Sequence, residues 1–350
     1  MRDSRLLGVA AVLIILAIIL AGAGLAEGKA RGGIARVPPT PIQPTVFEIM
    51  DLLATPHAPT ATDVQLEWSE ISGATEYRIY RSTSVRGDGF NYSSPYDVVP
   101  ATGTGKIIWT DVGAYATASD YAWVVTSVFG TTENLDISNI AWKKCITLRQ
   151  GMGSAGMDQN YISLPYRVNI TYSTHTNNAA ALIGDMRTYG TPINGISSVN
   201  RWDSNNSMWQ ARTSFAGTNF VLKPGEGYRA VVTLPVVIYK MVGAYDPDYI
   251  HLLFKGTGVA GADNNYISLP YHYAFTANTA AYLISNIRGT GTPINAVSSV
   301  NRWNQDTSMW EARVMIAGTN FNLMPGECYR LVLSTASEMT WTCPVATLGV

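Results

Sequence analysis

Apolar and polar positions alternate clearly in several short stretches between Val64 and Ser127. In "VQLEWSE" Val64, Leu66 and Trp68 fall on one face; in "EYRIYRS" Tyr77 and Ile79 do; in "YAWVVTS" Tyr121, Trp123, Val125 and Ser127 do. A period of two broken by turn residues predicts strands with one buried face. Several such strands within about 90 residues predict a sandwich of two sheets. The stretch from Val85 to Gly105 breaks the pattern and predicts an enlarged loop or an extra strand.

Further along, the chain repeats itself. "DQNYISLPYR" from Asp158 returns as "DNNYISLPYH" from Asp263, and "GTPINGISSVNRWDSNNSMWQAR" from Gly190 returns as "GTPINAVSSVNRWNQDTSMWEAR" from Gly291. "AGTNFVLKPGEGYR" from Ala216 returns as "AGTNFNLMPGECYR" from Ala317. A period of about 100 residues marks a tandem duplication. The first copy carries four extra residues within "RVNITYSTHTNNAAAL". Each copy predicts a strand at "YISLPY", then a short helix, "NNAAALIGDMR" or "NTAAYLISNIR". Leu182, Ile183 and Met186 share one helix face, as do Leu283, Ile284 and Ile287. Asn177 and Asn278, or polar neighbours, are the expected caps. A strand into "VNRW", an Asn/Asp/Ser turn, the "MWQAR" or "MWEAR" strand and a closing strand pair complete the unit. The predicted fold class is mainly β: a sandwich plus two tandem β-rich domains, each with one short helix.

The N-terminus departs from this regime. Arg2 and Arg5 precede an apolar run from Leu6 to Ala26, with small residues at Ala21-Gly22-Ala23 and Gly24-Leu25-Ala26. Such a segment is a cleaved export signal or a retained membrane anchor. Both place the rest of the chain outside the cytoplasm, with membrane contact only through this segment. The predicted organisation is a signal or anchor over 1–26, a Pro/Gly-rich linker over 27–45, a sandwich over 46–144, and repeats over 145–243 and 244–350. A net charge of −1 with 14% charged residues excludes a nucleic-acid partner, which needs concentrated basic surface.

The sandwich segment resembles a fibronectin type III domain. The resemblance is carried by Pro59, by Trp68 in "LEW", by "ATEYRIYRS" and "WTDVGA", and by "YAWVVTSVFGTTENLDISN", where Tyr121 matches the tyrosine of the penultimate strand. The two copies resemble repeats of exported bacterial and archaeal surface proteins through "NYISLPY", the "TAAYLI" helix, "VNRW" and "PGEGYR". Arg229 and Arg330 stand where that family often carries Trp. The resemblance implies a modular, extracellular or cell-surface protein and no catalytic residues.

Candidate chemistry is sparse. His57, His175, His251 and His272 form no metal-ligand spacing, "GTGK" at Gly103 lacks the rest of a phosphate loop, and no cofactor is implied. Trp202 and Trp209 bracket one turn and Trp303 and Trp310 its copy. They are core rings packed across a hairpin, or platforms for sugar rings. What discriminates is whether Trp202 and Trp303 lie on one flat exposed face or inside. The turns "DSNNS" and "NQDTS" and the segments "GMDQN" and "GADNN" carry oxygen ligands for calcium but no ordered calcium loop. "RGDG" from Arg86 and the sequons at Asn91, Asn169 and Asn205 are short surface motifs. Asp158/Asp263, Glu226/Glu327, Arg187/Arg288, Arg201/Arg302, Arg212/Arg313 and Arg229/Arg330 recur in both copies, as duplicated contacts to a ligand or as braces of the fold.

Of the three cysteines, Cys328 and Cys343 are expected to form a disulfide. A hairpin centred between Thr335 and Ala336 would set them directly opposite, and the corresponding positions in copy one, Gly227 and Val242, lack both thiols together. Cys145 is left over. The expected function is that of a non-enzymatic exported protein with a structural or adhesive role, whose partners are envelope or matrix proteins or glycans. The alternative is a carbohydrate-binding accessory protein of secreted hydrolases.

Overall fold

Strand β2 (Asp63–Ser69) buries Val64, Leu66 and Trp68, as its alternation requires. It lies between β1 (Leu53–His57) and β5 (Lys106–Asp111) in a three-stranded antiparallel sheet. Facing it are β3 (Glu76–Ser82), β4 (Asp97–Pro100) and β6 (Tyr121–Phe129), with β7 (Thr132–Asn134) on β6. The pattern break after Val85 therefore contains the extra strand β4, which pairs β3. Trp68 and Tyr77 meet edge to face at 5.5 Å between the sheets. The structure is a computed structural model. It describes residues 49, 51–57, 62–84, 89–150, 159–164, 170–244, 251–255, 264–269, 275–324, 326–335 and 338–344, with backbone alone at 57, 171–172 and 251–255. All of them fall within one unit, Val46–Val350.

The sandwich does not end before the first repeat begins. Strand β8 (Ala141–Arg149) pairs β6 through Ala141, Trp142 and Lys143. Along its whole length it also pairs a strand from the end of copy one, Val236–Ala244. Residues 144 and 145 are thus neighbours within one strand. Lys143 is fully buried here, and its Nζ donates to the carbonyls of Ala114 and Thr117 at 2.8 and 2.9 Å. Desolvation holds that ammonium below the usual lysine range. Lys240 Nζ donates to Tyr115 O and Ala116 O in the same corner. Val242 and Ala244 of copy one sit in the sandwich core.

In copy one the elements run β9 (Gln159–Ser163), β10 (Thr171–Tyr172), β11 (His175–Thr176), α1 (Ala179–Tyr189), β12 (Ile196–Asp203), β13 (Met208–Thr213), β14 (Gly227–Val232) and β15 (Val236–Ala244). Copy two runs β16 (His251–Lys255), β17 (Asn264–Ser268), α2 (Ala280–Thr290), β18 (Val297–Asn304), β19 (Met309–Val314), β20 (Cys328–Leu333) and β21 (Glu338–Thr342). Each copy forms a four-stranded antiparallel sheet, β13-β12-β14-β9 or β19-β18-β20-β17. A two-stranded ribbon, β8–β15 or β16–β21, and the helix enclose the core with that sheet. The helix faces expected from spacing are the buried ones. The caps are the polar neighbours of Asn177 and Asn278: Asn178 accepts from Ala181 N at 3.0 Å, and Thr279 from Tyr282 N at 3.4 Å. Asn177 instead turns its Oδ1 to Ile170 N and adopts φ 47°.

The disulfide between Cys328 and Cys343 is not formed; all three cysteines are free thiols. The expected hairpin is absent for a simple reason. Strand β20 lies inside its sheet, with β17 on one edge and β18 on the other, so no edge remains for β21. Cys328 pairs with Ser268, and the chain crosses to the other face of the core, where β21 pairs β16. In copy one β14 and β15 separate in the same way.

Among the described residues, no helix is long and apolar enough to cross a membrane. The apolar run Leu6–Ala26, Asp158, Asp263, the Arg-Gly-Asp tripeptide at 86–88 and the sequon asparagine Asn169 lie outside them.

Candidate functional site

Several residues that recur in both copies converge on the seam between them. In β9, Asn160 and Ile162 turn inward, which aims Tyr161 away from its own core. Tyr266 of β17 does the same in copy two. The two tyrosines stack on each other at 5.6 Å with an interplanar angle of 8°. The tryptophans close around them. Trp202 and Trp209 stand opposite in the β12–β13 register and meet at 5.3 Å, as do Trp303 and Trp310. Tyr161 lies 4.6 Å from Trp310 of the other copy, and Tyr266 lies 4.8 Å from Trp209. The reciprocity is that of an approximate twofold relation. Arg229 lies over Trp209 at 4.2 Å and Arg330 over Trp310 at 4.1 Å, cations on ring faces. All four tryptophans are half-buried and packed in this cluster; they form no flat open platform. Burial raises the Tyr161 hydroxyl to about 12 and raises that of Tyr266 further. Burial also lowers the Arg229 guanidinium.

The "PGE" turns are the second part of the seam. Gly225 and Gly326 take φ 79° and 82°, a region open to glycine. Each turn then reaches across to the other copy: Ser268 N donates to Gly225 O at 2.9 Å, and Ser163 N to Gly326 O at 3.3 Å. Glu226 bridges to Ile267 and Glu327 to Ile162. The glutamates brace rather than project. Tyr228 and Tyr329 donate to their carboxylates at 3.0 and 2.9 Å, and burial pushes both carboxyl groups up. At the centre, Gly227 faces Cys328. A Cβ on Gly227 would stand 2.1 Å from Cys328 Sγ and 3.2 Å from its Cβ. Burial raises the Cys328 thiol far above the usual range, so it is a packed apolar group and not a nucleophile.

Among the described residues, two clefts lie near these elements. One, of about 390 Å³, is walled by Trp303 and Tyr161 with Arg149, Arg302, Asn304 and Asp306. Arg149 and Asp306 close it at 3.7 Å, and Glu311 holds Arg302 at 2.6 Å. The other lies on copy one beside α1 and is lined by His175, Arg187, Arg212 and Phe215.

The remaining candidates are engaged locally. Asp203 accepts from Asn205 N, Asn206 N, Asn206 Nδ2 and Gln210 Nε2, so its turn is closed by its own hydrogen bonds. Those bonds, Asn206 foremost, lower its carboxyl. Among the described residues no group of three or more His, Cys, Asp or Glu side chains could hold a metal ion. Arg201 holds Gln210 at 2.7 Å, and Arg212 and Arg313 each donate to a loop carbonyl at 3.1 Å. Sequence reasoning passed over Tyr161 and Tyr266. The available signal was a tyrosine on the outer face of an alternating strand, kept in both copies beside two outward tryptophans.

Fold and site together define a class: a mainly β chain in which a sandwich runs by a shared strand into a duplicated β-rich unit closed by an aromatic seam. No protein-family model matches the chain, and no curated protein matches it. Among solved structures the chain is weakly similar to the FN1–FN3 domains of chicken CNTN1, at 10% identity and a TM-score of 0.13, over 81% of this chain and 94% of that one.

Proposed function

We infer that this chain is a non-enzymatic exported protein of the cell surface or extracellular space, with a structural and adhesive role. The observation that carries the reading is where the duplicated residues are spent. The repeated aromatics, Arg229 and Arg330, and the "PGE" turns hold one copy to the other. The continuous strand β8 and the Lys143 and Lys240 contacts add a rigid joint to the sandwich. Such joints suit a display scaffold more than a hinged enzyme. Strand order β1-β2-β5 against β8-β6-β3-β4 supports reading residues 46–144 as a fibronectin type III-like domain, with repeats over 145–243 and 244–350. The export reading rests on Arg2, Arg5 and the apolar run Leu6–Ala26. Envelope or matrix proteins and glycans are the partners such a scaffold would meet. The test is to fractionate cells expressing the full chain, treat intact cells with protease, and compare attachment of a deletion strain. A chain confined to the cytoplasm, or a deletion that leaves attachment and envelope integrity unchanged, overturns the reading.

A second reading, carbohydrate binding beside secreted hydrolases, is favoured by the cleft at Trp303. An indole wall with Arg149, Asn304 and Asp306 around it is the mixture of ring face and polar edge that a sugar uses. Pull-down of the full chain on insoluble polysaccharides tests it, with Trp303→Ala as the comparison. No retention of the native chain on any glycan removes it.

A further inference from the structure

Several differences between the copies converge on the cleft beside α1. Copy one places the β10–β11 hairpin between Ile170 and Asn177, where copy two has only Thr276 and Ala277 between Phe275 and Asn278. The hairpin packs on α1. Ser173 at its tip adopts φ 56°. Beneath it Gly184 is buried, whereas the corresponding Ser285 of α2 is exposed. Across the opening stands Phe215, 92% exposed, where copy two has Ile316. The extra residues of copy one thus build a wall, the glycine leaves room below it, and a ring stands at the mouth.

The chemistry of the lining is one-sided. Arg187, Arg212 and His175 contribute all its ionisable groups, and no carboxylate lines it among the described residues. Arg187 Nη1 donates to Ile196 O at 2.8 Å and Arg212 Nη1 to Gly217 O at 3.1 Å, which fixes both guanidinium planes and leaves further N–H groups on each. Arg212 Nε is buried with no partner. Two oriented guanidiniums without a counter-charge suit a carboxylate, which they bind with paired hydrogen bonds. An exposed phenyl ring offers a face for a second ring. A volume of about 390 Å³ accommodates one ring and its acid group.

We propose that this cleft binds a carboxylate borne on a six-membered ring, free or as a residue of an acidic polysaccharide. The proposal concerns one face of copy one and stands apart from the surface-scaffold reading, which fractionation tests separately. Calorimetric titration of the full chain with sodium glucuronate, sodium benzoate and polygalacturonate is the test, with methyl glucoside and sodium acetate as controls. The expected result is saturable binding of at least one charged ring probe, weakened by added salt, with neither control bound at the same concentration. Phe215→Ala leaves the fold intact because the ring touches solvent, and it weakens binding about tenfold. Gly184→Ser, which installs the residue of copy two, weakens it as well. Binding of the polymer together with glucuronate assigns the source to a polysaccharide; binding of free acids alone assigns it to a small molecule. Absence of saturable binding by all three charged probes overturns the proposal, as does binding that both substitutions leave unchanged.

Discussion

Replacing Asp185 by Asn should stabilise the protein at neutral pH, although it removes a charge from a hydrogen-bonded pair. Asp185 sits on α1 at 8% exposure and accepts from Tyr239 Oη at 2.5 Å. Burial raises its carboxyl from 3.8 to about 6, against the smaller opposing effect of the tyrosine bond. The folded pKa therefore lies above the unfolded one. Below about pH 4 the group is neutral in both states and costs nothing. As pH rises toward 6 the folded state keeps a proton that the unfolded chain has lost, so stability falls. Above pH 6 the full cost is present, about 3 kcal/mol for a shift of this size. Asn carries no charge and keeps an acceptor for Tyr239. Copy two already uses this solution: Asn286 occupies the equivalent position and accepts from Trp341 Nε1 at 3.0 Å. Urea denaturation of the native chain and D185N between pH 4 and pH 7.5 measures the difference, and other carboxylates cancel in it. The variant should be about 3 kcal/mol more stable at pH 7, about half that at pH 5, and close to the native chain at pH 4. A difference that does not change with pH, or a variant less stable at pH 7, refutes the assignment.

Three further outcomes follow from the seam and the thiols. Gly227→Ala drives a methyl into Cys328 Sγ and should cost about 1–3 kcal/mol; adding Cys328→Gly should recover most of it, read as Tm by calorimetry. Tyr161→Ala removes a ring that meets four others, three of them across the seam; it should cost about 3 kcal/mol and shift tryptophan emission to the red as solvent enters. Thiol titration should find Cys328 and Cys343 unreactive in the native protein and all three cysteines reactive in denaturant; fewer than three would show a bridge.

What was legible in the sequence was what repeats at short range. Val64, Leu66 and Trp68 alternate, so β2 was readable, and Leu182, Ile183 and Met186 mark the buried face of α1. Strand partners were not legible, because pairing is decided by which edges are already occupied. The three residues between Val232 and Val236 look like a hairpin loop, yet β14 has β9 and β12 on its two edges and cannot accept β15. The boundary expected after Lys144 falls inside strand β8, because Lys143 is buried there by three oxygens from the neighbouring turn, a contact 26–29 residues away along the chain. The half-buried tryptophans were ambiguous for the same reason: a face that packs on a second copy has the composition of neither core nor surface.

The single Gly-to-Cys change in the "PGE" motif is explained by the same seam. Two copies related by an approximate twofold must satisfy different conditions at different distances from its axis. Flat rings meet their equivalents by stacking, so Tyr161 and Tyr266 are identical residues in contact. A position whose Cβ would stand 3.2 Å from the Cβ of its counterpart leaves no room for two side chains. Identity there gives either a clash, with two thiols, or a void, with two glycines, and both cost stability. One glycine and one cysteine fill the space once. A lone copy paired with itself would have no such option, because both positions would carry the same residue. Joining the copies in one chain is what lets positions 227 and 328 diverge, and the compensation expected for Gly227→Ala with Cys328→Gly is the direct measure of that complementarity.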